Sequence, residues 1–259
     1  MIPKHLYHYT SIKSLKAILE HQTIRFTRLD LLNDPYEGFC KINNVQNDLF
    51  KKLLYCSCWS YEGQEEIALW QIYTKSVGVR IKVDSRMFGN AFTITEHKSG
   101  YFPSQRISSI NINSALGCHK INSVCGPIDV QYCIEENQLY QNGISKSIAK
   151  QGTEKEFEMN DIDLLELGIS KLSHWAYEKE CRFISSPFVE IHASNEVISQ
   201  YFSLEMPEFI DIPLVMPIEE ILVGPETSNE DYNELERLVS KYENLKLSKS
   251  KIKTRFKKD

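Results

Sequence analysis

The sequence predicts one domain of the α+β class, with strands and helices mixed along the chain. Short segments that alternate apolar and polar residues recur from the beginning of the chain to near its end. Short segments with apolar residues at helical spacing lie between them, and no internal repeat or low-complexity linker interrupts the pattern. The chain has 259 residues, 42% of them apolar, which is enough to bury a core without the help of a disulfide or a metal ion.

Six segments within the first 90 residues have the periodicity of regular structure. Alternation predicts strands at residues 5–9, 23–27, 54–60 and 78–83. Helical spacing predicts a helix that begins at residue 12, after the capping candidates Thr10 and Ser11, and a second at residues 65–73, which begins with acidic residues. Asn33, Asp34 and Pro35 predict a turn.

The rest of the chain has a weaker pattern. We expect strands at residues 91–95, 129–132, 175–184 and 218–225, and helices at 138–150, 155–158, 161–172 and 229–242. Residues 246–258 contain seven Lys or Arg and no acidic residue. We therefore expect a domain of residues 1–245, with an insert at about 90–160, and a basic tail from 246 to 259 that is solvated or contacts phosphates.

Composition excludes several classes of protein. The formal net charge of −5 gives no overall attraction to nucleic acid or to an anionic membrane. No apolar run approaches the length of a membrane span, and the first residues lack the layout of a signal peptide. The odd number of cysteines, seven, predicts reduced thiols, and their spacing is not that of a zinc site. We expect a cytoplasmic protein that binds neither a membrane nor a metal.

The first candidate motif is Tyr7-His8-Tyr9-Thr10, at the end of a strand. His8 and Thr10 should project to one face, because side chains alternate along a strand. A neutral imidazole beside a hydroxyl can hydrogen-bond a sugar diol. The alternative is a histidine whose hydrogen bonds are internal, followed by a helix cap.

The second candidate motif is the charged stretch around Glu180. On a strand over residues 175–184, Glu178, Glu180 and Arg182 would share one face, with neighbours about 6.6 Å apart. Burying these groups without a function would cost free energy, whereas on an exposed face they would form a solvated ladder worth little. The flanking aromatic residues favour a central, buried strand.

A third motif lies on the helix predicted at residues 65–73. Trp70 and Tyr73 are three residues apart, so both rings lie on one side of that helix. They pack in the core or form a stacking platform for a planar ring.

In combination, these motifs resemble the histidine–tyrosine–glutamate branch of the ADP-ribosyltransferase superfamily, and the opening is most similar to DNA-modifying toxins of the DarT type. The chain also resembles an uncharacterised bacterial family with the motifs H-Y-T-S, N-D-P-x-E, W-x-x-Y and W-x-Y-E-x-E-x-R, which stand here at residues 8–11, 33–37, 70–73 and 175–182. This second resemblance covers roughly residues 5–225. Trp59, Trp70 and Tyr73 compete for the position of the central tyrosine.

The resemblance implies an ADP-ribosyltransferase-like split β-sheet core with flanking helices, and NAD as the substrate. It implies that Glu180 is catalytic. The residues implied to contact NAD are His8, Tyr9, Thr10, Trp70 and Tyr73. Those implied to support the site or orient the acceptor are Asn33, Asp34, Glu178 and Arg182.

The implied activity is NAD-dependent mono-ADP-ribosyl transfer by a bacterial toxin or anti-phage effector. The expected acceptor is a DNA or RNA base, with a protein acceptor or simple NAD hydrolysis as alternatives, and an antitoxin protein is an expected partner. Cleavage of the nicotinamide–ribose bond develops positive charge on the ribose, which a fixed carboxylate such as Glu180 can stabilise.

Two other classes stay open. Asp84 and Glu96-x-Lys98 loosely match the carboxylates and lysine of a metal-dependent nuclease. A non-catalytic module that binds a nucleotide or a partner would use the same fold, whereas an RNA 2′-phosphotransferase is a weaker match because its chemistry does not use a glutamate on this strand.

Overall fold

The computed structural model describes residues 2–42, 45–47, 49–97, 100–114, 117–141, 144–151, 155–188, 190–193 and 205–253. Over this part the chain is an α+β protein dominated by one large sheet, as the sequence predicts. The strands of all its sheets are, in chain order, β1 His5–Thr10, β2 Thr23–Arg28, β3 Cys40–Ile42, β4 Val45–Asn47, β5 Tyr55–Ser60, β6 Val79–Asp84, β7 Thr93–His97, β8 Gly100–Ser114, β9 Gly117–Asp129, β10 Gln131–Cys133, β11 Ile144–Gln151, β12 Lys155–Asp163, β13 Ser170–Leu172, β14 Glu180–Ser185, β15 Glu190–Ala193, β16 Phe209–Pro213, β17 Glu220–Val223 and β18 Lys246–Lys249.

The helices are short and lie around this sheet. The α-helices are α1 Ile12–His21, α2 Ile67–Thr74, α3 Glu136–Gln141, α4 Leu164–Gly168 and α5 Asn229–Val239. Three 3-10 helices span Leu29–Leu31, Leu49–Leu53 and Ser173–Glu178. Helix α1 begins where the sequence predicts, because the Ser11 hydroxyl accepts a hydrogen bond from the Ser14 amide at 3.0 Å.

The main sheet has eleven strands, nine of them in the order β18-β17-β6-β1-β5-β14-β9-β8-β7, while β2 pairs with both β5 and β16. All its pairings are antiparallel except that of β17 with β18. Smaller sheets join β10 to β13, β11 to β12 and β15, and β3 to β4. Strands β7, β8 and β9 belong to the main sheet, so this part of the expected insert extends the core sheet.

The sheet divides along one side of β5. Strand β1 pairs with β5 at a single position, Tyr7 with Ser60, whereas β2 pairs with the other end of β5, at Tyr55 and Cys56. Within the described part of the chain, no strand pairs with residues 57–59 on this side. On its other side β5 pairs with β14 along its full length. The sheet is therefore split between β1 and β2.

The hydrophobic core fills the space between the main sheet and its helices. Phe26 of β2, Phe88 and Phe183 of β14 meet edge to face, with ring centroids 5.3 Å and 5.0 Å apart. Leu15 and Leu19 are the buried residues of α1. The core thus fixes β14 relative to the amino-terminal strands.

The structure corrects the prediction of one strand over residues 175–184. Ser173–Glu178 form a 3-10 helix, Lys179 has a left-handed backbone (φ 46°), and β14 begins only at Glu180. Glu178 and Glu180 therefore do not share a face of a single strand. Aromatic and charged residues with a spacing of two fit a strand and a tight turn equally well, so alternation did not distinguish them.

Three predicted helices are also wrong in whole or in part. The helix expected at 138–150 is α3 followed by β11, and those expected at 155–158 and 161–172 are β12, α4 and β13. Strands β11 and β12 pair with each other over eight positions. This hairpin, whose second strand also pairs with β15, overrides local helix preference.

The expected basic tail begins as a strand of the sheet. Residues Lys246–Lys249 form β18, parallel to β17, and the Ser250 amide donates to the Val223 carbonyl at 2.9 Å. Ile252 packs against the cluster of Tyr9, Leu69, Trp70 and Leu222. The domain therefore extends beyond the expected boundary at residue 245.

Candidate functional site

A cavity that is partly open to solvent lies beside the split in the sheet. Strands β1 and β5, helix α2, the 3-10 helix Ser173–Glu178 and strand β14 supply its lining, which consists of Tyr7, His8, Tyr9, Cys58, Trp59, Ser60, Leu69, Tyr73, Glu178 and Glu180. Residues 170 positions apart in the chain thus share one cavity.

Strand register explains this convergence. Tyr7 of β1 pairs with Ser60 of β5, and Ser60 pairs with Glu180 of β14. Directly paired residues project to the same side of a sheet, so these three side chains form one row across three strands. Neighbouring strands are about 4.8 Å apart, which places the first strand and the acidic strand within reach of one small ligand.

The His8 ring occupies the gap in the β5 ladder. Its Nδ1 donates a hydrogen bond to the Cys58 carbonyl at 2.8 Å, since a carbonyl can only accept. The ring also packs on Trp59, with centroids 5.1 Å apart. Burial lowers the pKa of His8, against the weaker effect of the Cys58 hydrogen bond. At neutral pH the imidazole is therefore uncharged, and Nε2 remains as an acceptor for a ligand hydroxyl.

Aromatic rings form much of the cavity wall. Of the three candidate rings named in the sequence analysis, two lie in this wall. Trp59 and Tyr73 line the cavity. Trp70 does not: it is 1% exposed, packs edge to face on Tyr9 at 4.9 Å, and donates from Nε1 to Glu65 at 3.0 Å. Trp70 is therefore not part of the cavity wall, and this side chain supports Tyr9 from behind.

Glu180 lies at the end of the cavity and is held by two cations. Its Oε1 accepts from Arg182 Nε at 2.6 Å, and its Oε2 accepts from Arg182 Nη2 at 3.1 Å and from Lys171 Nζ at 3.2 Å. Burial raises the pKa of the Glu180 carboxyl, but the charges of Arg182 and Lys171 outweigh burial and lower it below its usual value. Glu180 is therefore an anion at neutral pH.

Glu178 is the second carboxylate of the cavity. It accepts a hydrogen bond from the Tyr73 hydroxyl, and Lys171 Nζ lies 2.6 Å from its Oε2. Burial raises the pKa of Glu178 despite the neighbouring Lys171. The two carboxylates of the cavity thus have pKa values displaced in opposite directions, a pattern found at sites of acid–base chemistry.

Asn33 lies at the same site, as the sequence predicts. Its Nδ2 donates to the Tyr73 hydroxyl oxygen at 3.0 Å, so Tyr73 is held between Asn33 and Glu178. Asp34 is buried in the adjacent turn, where its Oδ1 accepts from the Tyr36 amide at 2.9 Å. Asp34 shapes this turn and is not part of the cavity wall.

Thr10 is not part of the cavity wall either. It ends β1, where it pairs with Val79. His8 and Tyr9 are therefore the members of this motif that face the cavity, together with Tyr7, which the sequence analysis did not select.

Two further charged residues of the site escaped the sequence analysis. Lys171 and Glu37 are buried and lie 3.2 Å apart, and Glu37 Oε2 lies 2.6 Å from Arg182 Nη2. Glu37 closes the N-D-P-x-E motif, which could have indicated it. Lys171 had no comparable signal, because its stretch reads as helix and a single lysine normally lies at the surface.

The residues of the nuclease alternative are not gathered together. Asp84 lies on β6, where it binds Arg86 at 2.8 Å, and Glu96 lies on β7 at the far end of the sheet order. Lys98 lies outside the described residues. In the part of the chain that the structure describes, there is no group of three His, Cys, Asp or Glu residues that could hold a metal ion.

The cysteines with described side chains are free thiols: Cys56, Cys58, Cys118, Cys125, Cys133 and Cys181. Over the described ranges, no helix combines the length and the apolar character needed to cross a bilayer.

The site therefore defines an α+β protein whose split sheet carries a small cavity with buried carboxylates. Residues 69–183 match the model of a family described as a protein of unknown function, DUF2971. This segment runs from α2 into β14 and includes Tyr73, Lys171, Glu178 and Glu180. Searches of curated proteins and of solved structures found no match.

Proposed function

We propose that the protein is an NAD-dependent mono-ADP-ribosyltransferase. The single observation that carries this proposal is the shared cavity of His8 and Glu180 at the split between β1 and β2. The resemblance of the motifs to the ADP-ribosyltransferase superfamily requires these two side chains to meet. The two residues are far apart in sequence, and their shared cavity supports the proposal.

In the proposed mechanism, the nicotinamide–ribose portion of NAD occupies the cavity. The neutral His8 ring accepts a hydrogen bond at Nε2 from a ribose hydroxyl, and Tyr73 and Trp59 enclose the nicotinamide ring. The adenosine half extends out of the cavity.

The proposed chemical step breaks the bond between the ribose C1′ and the nicotinamide nitrogen. The bonding electrons leave with nicotinamide, and positive charge develops on the ribose. The buried Glu180 anion stabilises this charge. The acceptor then forms a bond to C1′ and loses its proton, which Glu178 is placed to take.

We propose a nucleic-acid base as the acceptor, with a protein side chain or water as alternatives. This choice follows from the resemblance of the opening motif to DNA-modifying toxins. A role as a toxin or anti-phage effector in the cytoplasm, with an antitoxin as partner, belongs to the same proposal.

The proposal is tested with purified protein and NAD labelled in the adenylate part, in separate mixtures with DNA, RNA and protein. The wild type is expected to release nicotinamide and to transfer label. Glu180→Gln is expected to lower the rate by about 10²–10³-fold, as loss of one electrostatic catalytic group does. The control Glu96→Gln changes an exposed carboxylate outside the cavity and should keep the wild-type rate. A folded wild type that neither binds nor cleaves NAD would remove the proposal.

One observation favours a non-catalytic binding module instead. Both oxygens of Glu180 already contact Arg182, and the residue is 4% exposed, which is also what a purely structural carboxylate looks like. In that case the wild type binds NAD or another nucleotide in the cavity without releasing nicotinamide.

A further inference from the structure

The two carboxylates of the cavity rest on a second layer of buried charge. Lys171 and Glu37 are not in the cavity wall: Lys171 contacts Glu178 and Glu180, which are, and Glu37 contacts Lys171 and Arg182 behind them. Lys171 Nζ lies 2.6 Å from Glu178 and 3.2 Å from Glu180, and it is the one cation that contacts both of them among the ion pairs of the described chain. On its other side Lys171 contacts Glu37 at 3.2 Å.

The arrangement is a buried cluster in which acids outnumber bases. Three carboxylates, Glu37, Glu178 and Glu180, face two cations, Lys171 and Arg182. Their side chains are at most 5% exposed. When all five groups are ionised the cluster carries one net negative charge. Charges buried to this degree act on one another far more strongly than they would in water.

Glu37 competes with the cavity carboxylates for both cations. It lies 3.2 Å from Lys171 and 2.6 Å from Arg182, the two groups that hold Glu180. When Glu37 is ionised, its negative charge offsets part of the favourable effect that Lys171 and Arg182 have on Glu178 and Glu180. Glu37 and Lys171 thus act on the cavity carboxylates in opposite directions.

We propose that Lys171 and Glu37 are a pair of opposed positioning residues, which together set the charge state of the cavity carboxylates Glu178 and Glu180. Lys171 holds the two carboxylates side by side and favours their ionised forms. Glu37 contacts the same cations, and its negative charge limits that effect. The inference rests on the proposed function, because it assigns the pair to the site at which NAD is cleaved.

Other groups also face the two carboxylates. They are Arg182 of β14, Tyr73 of α2, Cys58 of β5, Tyr132 of β10 and Tyr177 of the 3-10 helix. The variants below leave all of these in place. Burial raises the pKa of Glu37 and of Glu178, while Lys171 lowers both, so the cluster is sensitive to a change of one charge.

The test compares the pH dependence of nicotinamide release in the wild type, Lys171→Met and Glu37→Gln. Lys171→Met should move the acid limb of the kcat/KM profile to higher pH, so that its rate falls by about tenfold for each unit of displacement at low pH and recovers at high pH. Glu37→Gln should move the same limb to lower pH. Lys171→Arg restores the charge and should return the limb toward its wild-type position.

A purely structural role predicts a different result. Each variant would then lower the rate by one factor at every pH, and equal scaling of this kind overturns the proposal. So does a displacement of both profiles in the same direction. If Lys171→Met does not fold, the pH profile of Glu37→Gln is the deciding result. An acid limb that does not move in that variant contradicts the inference.

A second measurement separates this inference from the proposed function. NMR titration of protein labelled with ¹³C at the glutamate carboxyls, with Glu178→Gln used to assign its signal, reports ionisation whether or not NAD is cleaved. Glu37→Gln should lower the titration midpoint of Glu178. An unchanged midpoint overturns the inference, whereas a lowered midpoint in a protein that does not cleave NAD removes only the proposed function.

Discussion

At the scale of single residues, His8 links the fold to the site. Strand β1 leaves β5 after one paired position, and the His8 ring supplies the hydrogen bond to the Cys58 carbonyl that a neighbouring strand would have made. The same bond fixes the tautomer and leaves Nε2 as an acceptor. One side chain thus compensates for the split in the sheet and offers a binding group.

Protonation of His8 should destabilise the protein. The folded-state pKa lies below the ordinary value of 6.5, so between these two values the unfolded chain binds more protons. The contribution to stability is complete above 6.5 and is lost as the pH falls through this interval. Denaturant unfolding at about pH 7.5 and about pH 5.5 should show a larger loss of unfolding free energy in the wild type than in His8→Gln.

The exposed His21 provides the control for this prediction. His21→Gln should lose as much unfolding free energy on acidification as the wild type does. An acid-induced loss that is the same in His8→Gln and in the wild type would show that His8 is not the responsible group.

Single residues also show where sequence reasoning succeeds and where it fails. His8, Tyr73, Glu178 and Glu180 were singled out from motifs in the sequence, and all four line the cavity. Lys171 was not singled out, because its contacts with Glu178 and Glu180 arise from the placement of β13 in the fold. Trp70 does not line the cavity although Tyr73 does, because residues three apart on a helix differ by about 60° around its axis and need not face the same surroundings.

At the scale of elements, a bulge in β9 shapes the strand that carries Glu180. Arg182 of β14 pairs with Ile128, but Ile184 pairs with Cys125, so β9 has one extra residue. Gly126 lies in this bulge with φ 130°, and a Cβ there would come within 2.4 Å of the Arg182 carbonyl oxygen. The close approach of the two backbones requires a glycine at this position.

Gly126→Ala should therefore destabilise the protein by about 1–3 kcal/mol more than Gly100→Ala, as overpacking does. Gly100 has a similar φ of 139° but no atom within 4 Å of its Cβ position, so the comparison isolates the steric clash. Thermal unfolding of the two variants measures the difference. Equal destabilisation by the two substitutions would mean that β9 and β14 are less closely packed than described.

In the first 90 residues β1, β2, β5, β6, α1 and α2 were predicted, because each has a clear period and ends at a cap or turn such as Ser11. The short strands β3 and β4 were not predicted. From residue 138 to 172, β11, β12 and β13 were assigned to helices, although β11 and β12 pair with each other and β13 pairs with the distant β10. Local propensity contains no information on that pairing.

At the scale of the whole molecule, the carboxy-terminal segment completes the sheet. Strand β18 pairs with β17, Leu247 packs on the main core, and Ile252 reaches the cluster of Tyr9 and Trp70 behind the cavity. The basic composition of this segment indicates solvent exposure, which holds for its lysines but not for the apolar residues between them. Sequence composition averaged over the segment concealed this alternation.

A chain that ends at residue 245 should be less stable than one that ends at residue 253. It loses β18 and two partly buried apolar side chains, which we expect to cost at least about 2 kcal/mol. The chain ending at 253 retains every described contact and should unfold as the full-length protein does. Indistinguishable unfolding midpoints for the two shortened chains would contradict the placement of β18.

The most direct test of the central claim is a crystal structure of the Glu180→Gln variant with NAD, since this variant should bind the dinucleotide and cleave it slowly. We expect the ribose attached to nicotinamide to lie within hydrogen-bond distance of His8 Nε2. The bond between its C1′ and the nicotinamide nitrogen should lie beside residue 180. NAD bound elsewhere on the protein, or a nicotinamide ribose outside the cavity between β1 and β14, would contradict the account.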